Sequence, residues 1–273
     1  MKTIKARAIE RLVKDLCIRA NLRLRSDVYA ALRAAHARET GSRAREILKA
    51  ILKNAQVARR EDLAICQDTG LPCVFVELGQ DVRIAGGFQG AINRGVEAGY
   101  KAASLRNSVI RDPLVRGASG YVPAVIHVDI VRGSRVKITV LPKGFGCENK
   151  TQLRMFIPTA KIEQVKRFIV DAVKAAGPDA CPPYVVGVGI GGTADLAVLL
   201  AKKALLRKCA GRGSKLEQEL LKEINCLNIG PMGLGGKTTA LAVHIQTYPT
   251  HIAGLPVAVN ISCHALRSAS AVL

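Results

Sequence analysis

Short apolar runs bounded by glycine, proline and polar turn residues recur after residue 62, and they constrain the fold more than any other feature. Such runs are typical of buried or half-buried strands. They are Leu63–Ile65, Cys73–Leu78, Pro123–Val131, Arg135–Leu141, Val185–Ile190, Leu241–Ile245 and Pro256–Ile261. The two runs on either side of Gly133-Ser134 predict a β-hairpin.

Apolar residues at helical spacing dominate the first sixty residues instead. Ile9, Val13, Leu16 and Cys17 belong to an apolar stripe that predicts a helix from about residue 4 to residue 20, with Cys17 in the core. Ser26 and Asp27 can cap a second helix. The remaining predicted helices are Ser42–Arg59, Ala91–Ala103 with interruptions at Gly95 and Gly99, Lys161–Ala176, Ala194–Arg207 and a helix that ends near Ile224.

Helices beside hairpins favour an α+β fold over a regular βαβ repeat. We expect residues 1–60 to form an N-terminal helical segment. Residues 61–273 would form an α+β catalytic domain, in which a mixed or antiparallel sheet carries flanking helices. At 273 residues the chain can bury a large core, and we expect the two parts to make one structural unit.

The formal net charge of +20 is the main oddity of composition. Residues 1–60 alone carry 16 Lys and Arg against 5 Asp and Glu. Such a positive charge is typical of proteins that bind nucleic acid, an acidic partner or small anions. Five Phe, five Tyr and no Trp leave few rings to stack on bases, which argues against nucleic acid. Because the first twenty residues have charges throughout and no apolar stretch, we expect neither a signal peptide nor a membrane span, and a cytoplasmic protein.

Eight cysteines lie at positions 17, 66, 73, 147, 181, 209, 226 and 263. Their spacing contains no C-x-x-C, which excludes zinc-finger and ferredoxin signatures. In a reducing compartment we expect thiols in the core or metal ligands. Cys66-Gln67-Asp68-Thr69-Gly70 places a thiol, an amide, a carboxylate and a hydroxyl together between two predicted strands. This stretch is either a capped turn or a functional site.

Long motifs in order along the chain carry a family resemblance. They are Cys66–Gly70, Cys181-Pro182-Pro183-Tyr184 leading into Gly189–Thr193, Gly230–Thr239, and His251 followed by Val257–Cys263. In these motifs the chain resembles the alpha subunits of class I, iron–sulfur fumarate hydratases, and the closely similar L-tartrate dehydratase alpha subunits. The resemblance implies a 4Fe-4S cluster held by Cys66, Cys181 and Cys263, with one iron open to substrate. The other five cysteines would be core residues.

The resemblance also implies a reaction and roles for five further residues. The reaction is reversible hydration of fumarate to L-malate, or dehydration of L-tartrate, which needs a Lewis acid at the hydroxyl group and a base for the proton. Asp68 and His251 would be catalytic. Gln67, Arg106 and Gly144 would bind the small dicarboxylate substrate, since a planar guanidinium suits a carboxylate.

Two partners follow from the same resemblance. The chain ends ten residues after Cys263, where single-chain members of the family continue into a second domain, so we expect a separately encoded beta subunit. Alpha chains would also pair with each other inside this hetero-oligomer. Gly117–Pro123 departs from the family's polar N-T-G-x-N-x-P segment, which leaves the choice of substrate open.

Two rival functions remain. Gly236-Lys237-Thr238 is similar to the end of a nucleotide-binding P-loop, but Pro231 stands where that motif needs its first glycine. The other rival is a basic binding protein that has the same fold without the chemistry.

Overall fold

Helices and strands are mixed throughout the computed structural model, which describes residues 2–211 and 213–273. The helices are α1 (Ala6–Leu22), α2 (Ser26–Arg38), α3 (Ser42–Arg60), α4 (Phe88–Ala102), α5 (Phe145–Glu148), α6 (Ile162–Ala176), α7 (Ala194–Ala204) and α8 (Lys215–Asn225). The strands are β1 (Lys2–Lys5), β2 (Leu71–Gly79), β3 (Val82–Ala85), β4 (Val109–Asp112), β5 (Arg116–Gly120), β6 (Val125–Val131), β7 (Val136–Lys143), β8 (Gln152–Phe156), β9 (Tyr184–Gly191), β10 (Ala240–Tyr248), β11 (Leu255–Ser262) and β12 (Ala269–Val272). The α+β prediction is confirmed, and every helix predicted from the sequence is present.

The chain divides into two compact units. The first comprises the chain up to Arg25, Ala55–Phe145 and Arg267–Leu273, and the second comprises Ser26–Asn54 and Gly146–Leu266. The helical first sixty residues are therefore shared: α1 belongs to the first unit, α2 to the second, and α3 runs from the second into the first.

A sheet in the order β12-β7-β2-β6 forms the centre of the first unit. Val74 of β2 pairs with Val140 of the antiparallel β7 and with Ile126 of the parallel β6. Both strands of the predicted hairpin exist, but β2 lies between them, so that pairing was wrong. The physical reason is the apolar run of β2, which is buried when it has a strand on each side, whereas β6 at the edge leaves Ile130 75% exposed.

Helices α1 and α4 pack closely together in the first unit. A Cβ on Gly95 would lie 2.5 Å from the Glu10 carbonyl oxygen, and one on Gly99 would lie 2.7 Å from that of Lys14. The sequence suggested that these glycines interrupt the helix, and that prediction was wrong. Instead, they allow the backbone of α4 to approach α1. The buried residues of both helices form one core with those of β2 and β7.

A second sheet, in the order β10-β9-β11-β8, forms the centre of the second unit. β9 is parallel to β10 and antiparallel to β11, and β8 is antiparallel to β11. Alternate residues of β11 face opposite sides: Val257, Val259 and Ile261 join the core under α6 and α8, while Ala258 joins that under α7.

Basic side chains of the N-terminal region lie on helix faces that contact solvent. In α3, Ala44, Leu48 and Ile51 are buried, while Arg45 and Lys49 are exposed. Within the described residues, no helix combines the length and apolar character needed to cross a bilayer.

Glu217 in the first turn of α8 is a buried carboxylate that joins three segments of the second unit. One oxygen accepts hydrogen bonds from the Arg207 guanidinium and from the main-chain N–H of Ile245 (2.7 Å), and the other accepts one from the N–H of Ser214 (2.7 Å). Burial raises the pKa of this carboxyl group, but the hydrogen bonds and the Arg207 charge outweigh burial and lower the pKa below 4.5.

We expect Glu217→Gln to reduce the free energy of unfolding by about 1.5–3 kcal/mol at neutral pH, the range of a hydrogen bond to a charged group. Because the folded-state pKa is lowered, this contribution is present above pH 4.5 and is lost as the pH falls below that value. Urea unfolding of wild type and variant at neutral pH and near pH 3 measures both effects.

Glu219→Gln on the same helix is the matched control. Its carboxylate pairs with Lys166 and its side chain is 37% exposed, so solvent screens the pair and the loss should be clearly smaller than for Glu217→Gln. An equal loss in both variants, or a Glu217 effect that does not shrink in acid, would contradict the assignment.

Candidate active site

Residues 63–70 form an irregular loop between α3 and β2 in the first unit. The main-chain N–H of Leu63 donates to the Ala58 carbonyl (3.0 Å), and that of Ile65 donates to the Asn21 carbonyl (3.0 Å). These bonds use donors that a strand would need, so the strand predicted for Leu63–Ile65 was wrong. The polar cluster lies in a loop that leads into β2.

Buried polar groups of the first unit hold this loop. Thr69 Oγ1 accepts from the main-chain N–H of Arg106 (3.1 Å) and donates to the Arg106 carbonyl (3.2 Å). The hydroxyl of Tyr100 donates to the Thr69 carbonyl (2.9 Å), and Nη2 of Arg267 donates to the Asp68 carbonyl (2.7 Å). The Asp68 backbone and the Arg106 backbone are thereby fixed relative to each other.

The Asp68 carboxylate is oriented by main-chain donors on both oxygens. Oδ1 accepts from the N–H of Gly70 (3.0 Å), and Oδ2 accepts from the N–H of Phe145 (2.9 Å). A Cβ on Gly144 would lie 3.1 Å from Asp68 Oδ2. Gly70 has a φ of +75°, and a Cβ there would lie 2.7 Å from the Lys143 nitrogen, so only glycine fits this turn. The structure thus brings Asp68 and Gly144 together.

Cys66 and Gln67 lie on the same loop. The Cys66 thiol is partly exposed and donates to the Gln67 side-chain oxygen across 3.4 Å. Gln67 also lines a cleft of about 990 Å³ in the first unit, together with Arg19, Arg23, Leu63 and Ser104. Five predicted site residues, at positions 66, 67, 68, 106 and 144, therefore occupy one region of the first unit.

Cys181 and Cys263 lie at the same end of the second sheet. Cys181 precedes β9 and has a φ of +56°, and Cys263 follows the antiparallel strand β11. His264 donates its main-chain N–H to the Cys181 carbonyl (3.3 Å), and its Nδ1 lies 3.0 Å from the same oxygen. Burial raises the pKa of Tyr184, and the nearby thiols of Cys147, Cys181 and Cys263 raise it further.

His251 lies at the opposite end of β11. It occupies the turn between β10 and β11, is exposed, and accepts the main-chain N–H of Ala253 at Nδ1 (3.1 Å). The eight residues of β11 separate it from Cys263 by roughly 26 Å at the rise of an extended strand. The expectation that His251 lines a cavity with Cys263 therefore fails within one chain, because the intervening residues form a strand.

The three motif cysteines have the chemistry that an iron–sulfur cluster needs. In residues 2–211 and 213–273 no three or more His, Cys, Asp or Glu side chains gather around one metal-ion position. The thiolates of a 4Fe-4S cluster bind different irons, so they do not meet at a single atom. Cys66, Cys181 and Cys263 are partly exposed and lie in loops or beside a strand end, which suits ligands to a bulky group.

The other five cysteines divide into two groups. Cys17, Cys73 and Cys147 are buried, and burial raises the pKa of Cys17 to about 12, which disfavours a thiolate. Cys209 is partly exposed and Cys226 is exposed at the end of α8, so the expectation of a core position was wrong for these two.

The nucleotide-binding alternative is not supported by the fold. Residues 237–239 lead into strand β10, whereas a P-loop lysine opens a helix. The N–H of Lys237 donates to Glu39 Oε2 (2.9 Å), so this main-chain donor is occupied by the protein itself.

Sequence reasoning missed the residues that support the loop. Tyr100 lies in an amphipathic helix and its buried hydroxyl needs a partner, which was a usable signal. Asn21 and Arg267, 0% and 3% exposed, carried no comparable signal because polar residues of these types are mostly on the surface.

Comparison with known proteins agrees with the motifs. The chain matches the family model for fumarate hydratase (Fumerase) over residues 10–272. A protein of Methanocaldococcus jannaschii with the provisional name L(+)-tartrate dehydratase subunit alpha is 39% identical over an alignment of 274 positions, which covers 96% of each chain. The L(+)-tartrate dehydratase subunit alpha of Escherichia coli is 30% identical over an alignment of 265 positions, which covers 94% of this chain and 88% of the relative. Since these matches span nearly the whole sequence, the chain belongs to the fumarate hydratase (Fumerase) family.

Proposed function

We propose that the chain is the alpha subunit of an iron–sulfur hydro-lyase that interconverts fumarate and L-malate by reversible hydration. The observation that carries the proposal is the arrangement of Asp68, Arg106 and Gly144 around the loop of Cys66, in a chain of this family. Dehydration of L(+)-tartrate is the second candidate, and the names of the relatives favour it.

Asp68 is proposed to move the proton next to the substrate carboxylate. Each of its oxygens accepts one main-chain N–H, which fixes the direction of the carboxylate and leaves further lone pairs for a substrate. The group is partly exposed, so a substrate can reach it. A base held in position in this way contributes through geometry as well as basicity.

Arg106 is proposed to bind a substrate carboxylate. Thr69 fixes the backbone from which its exposed side chain extends, and a guanidinium can hold a carboxylate through two parallel hydrogen bonds. The exposed amide of Gln67 is proposed to contact the same substrate. Because Gly144 has no side chain, the main chain beside Asp68 stays open to a ligand.

Cys66, Cys181 and Cys263 are proposed to hold the 4Fe-4S cluster. When bound at three thiolates, that group would supply Lewis-acid chemistry for the substrate hydroxyl, through an iron that is left open. The chain's own contribution is three partly exposed thiols at loop or strand-end positions.

A beta subunit is proposed as partner because the relatives are named as alpha subunits. It would supply further cations and hydroxyl groups to a dianion that Arg106 alone cannot bind at both ends. The net charge of +20 suits attraction of that dianion or of an acidic partner surface.

His251 is proposed to serve the site of a second alpha chain. The resemblance assigns it to the substrate, yet β11 holds it roughly 26 Å from Cys263 of the same chain. The assigned role and the distance are compatible when, in a pair of alpha chains, the turn that carries His251 reaches the site of the partner chain. Pairing of alpha chains is then required for activity.

Anaerobic reconstitution with iron and sulfide is expected to give the broad visible absorbance of an iron–sulfur cluster. Cys66→Ala should lose this absorbance, while Cys226→Ala should keep it because Cys226 is an exposed thiol outside the motifs. Turnover of fumarate and of L(+)-tartrate, measured with and without a co-produced beta subunit, then identifies the substrate. Absence of absorbance in the wild type would favour a non-catalytic basic binding protein, and full turnover by the alpha chain alone would contradict the two-subunit arrangement.

Arg106→Gln is expected to raise the Michaelis constant of the assembled enzyme by about 10- to 100-fold, since a hydrogen-bonded charge pair contributes about 1.5–3 kcal/mol. Arg111→Gln is the matched control, an exposed arginine on β4 of the same unit. An unchanged Michaelis constant and turnover number in Arg106→Gln would refute its carboxylate-binding role.

Mixing two inactive variants tests the exchange of His251. Neither Cys66→Ala nor His251→Ala enzyme should turn over substrate, but co-assembly of the two should restore about one quarter of the wild-type rate. This fraction follows because half of the random pairs are mixed and each mixed pair has one complete site. A mixture that stays inactive, although mass spectrometry shows mixed pairs, would contradict exchange between chains.

A further inference from the structure

Arg267 is a buried arginine beneath the candidate site. In the sequence it follows Cys263 and precedes β12, and its exposed fraction is only 3%. Its Nη2 donates to the main-chain carbonyl of Asp68 (2.7 Å), and its Nη1 donates to Asn21 Oδ1 (3.4 Å). Among the described residues its Nε has no hydrogen-bond partner.

The partners of this guanidinium are neutral oxygens. Burying a charge without an opposite charge in its hydrogen-bonding shell costs stability, and an unpartnered Nε adds to that cost. A tight apolar packing at this position would be the more stable solution. The contribution of Arg267 is therefore the pair of hydrogen bonds that fix the Asp68 and Asn21 oxygens.

One of these oxygens belongs to Asp68 in the loop, and the other belongs to Asn21 of α1, which contacts the start of the loop. Asn21 accepts the N–H of Ile65 at its main-chain carbonyl (3.0 Å), directly before Cys66. Its side-chain amide donates to the Cys17 carbonyl (3.0 Å), which ties it to α1. Arg267 thus links the start of the loop, through Asn21, with Asp68 near its end.

We propose that Arg267 is a positioning residue for the hydro-lyase reaction, acting through the Asp68 main-chain carbonyl. By fixing that carbonyl, it fixes the backbone from which the Asp68 carboxylate meets the N–H groups of Gly70 and Phe145. The catalytic part of this inference rests on the proposed function, whereas the structural part stands on the contacts of one unit.

The first measurement is hydrogen exchange on the full chain without cofactor. In Arg267→Gln, the amides of Ile65, Gly70 and Phe145 should exchange at least about 10-fold faster, because their acceptors lose their fixed position. Amides of β9 and β11 in the second unit should keep their wild-type rates.

Arg207→Gln is the matched control. Like Arg267, Arg207 donates to one side-chain oxygen and one main-chain carbonyl, but its partners Glu217 and Ile245 lie in the second unit. It should speed exchange near α8 and β10 and leave the loop unchanged. Wild-type exchange of the loop in Arg267→Gln, or equal acceleration in both units, would overturn the proposal.

The second measurement is steady-state kinetics of the assembled enzyme. Arg267→Gln should lower kcat by about 10- to 100-fold, with the Michaelis constant within about threefold of wild type, because a misplaced proton-transfer group affects the transition state most. Arg267→Lys, which keeps the charge and one donor group, should recover part of the loop protection and of kcat. It also replaces Arg267→Gln in both measurements if that variant does not fold.

The two proposals fail in different ways. If the wild-type assembly shows no hydration or dehydration of a dicarboxylate, the proposed function fails while the exchange data still decide the role of Arg267. In the other case the wild type is active, while Arg267→Gln and Arg267→Lys show the same loss of kcat and the same rise of the Michaelis constant. Arg267 then does not act through Asp68.

Discussion

The hydrogen bonds beneath residues 65–70 are the interaction on which the candidate site depends. A loop that leads into a buried strand has main-chain groups without ladder partners, and each must be paired or pay the cost of burial. Here Tyr100 donates to the Thr69 and Gly70 carbonyls, Arg267 to that of Asp68, and Asn21 accepts from Ile65. The loop is consequently held by three residues that are themselves buried.

Local pattern predicted the elements of this fold but not the order of its strands. The helices followed from apolar stripes at helical spacing, and β2 from its apolar run. The hairpin assigned around Gly133 failed because chain proximity suggests pairing between neighbours, whereas burial of β2 requires a strand on each side. Gly95 and Gly99 were likewise read as local interruptions, although the backbone of α1 is what they accommodate. Both errors concern contacts between segments distant in sequence.

The candidate site shows the same limit. Motif resemblance identified Cys66, Asp68, Arg106 and Gly144, and the fold brings them into one region of the first unit. It could not indicate that eight of the residues between His251 and Cys263 form the extended strand β11 and hold the two apart. The supporting residues were invisible for a different reason. Asn21 and Arg267 are of types that usually face solvent, so nothing in their neighbourhood marked them as buried.

The way the loop is held also bears on the stability of the site without the proposed 4Fe-4S cluster. In small metal-dependent domains the metal supplies the folding free energy, so removal of the metal unfolds the chain. Here the protein's own hydrogen bonds shape the Cys66 loop, and α1, α4 and the sheet around β2 form a core of their own. Loss of the proposed cluster would therefore leave the Cys66 loop folded, so that a new cluster could bind without refolding of the chain.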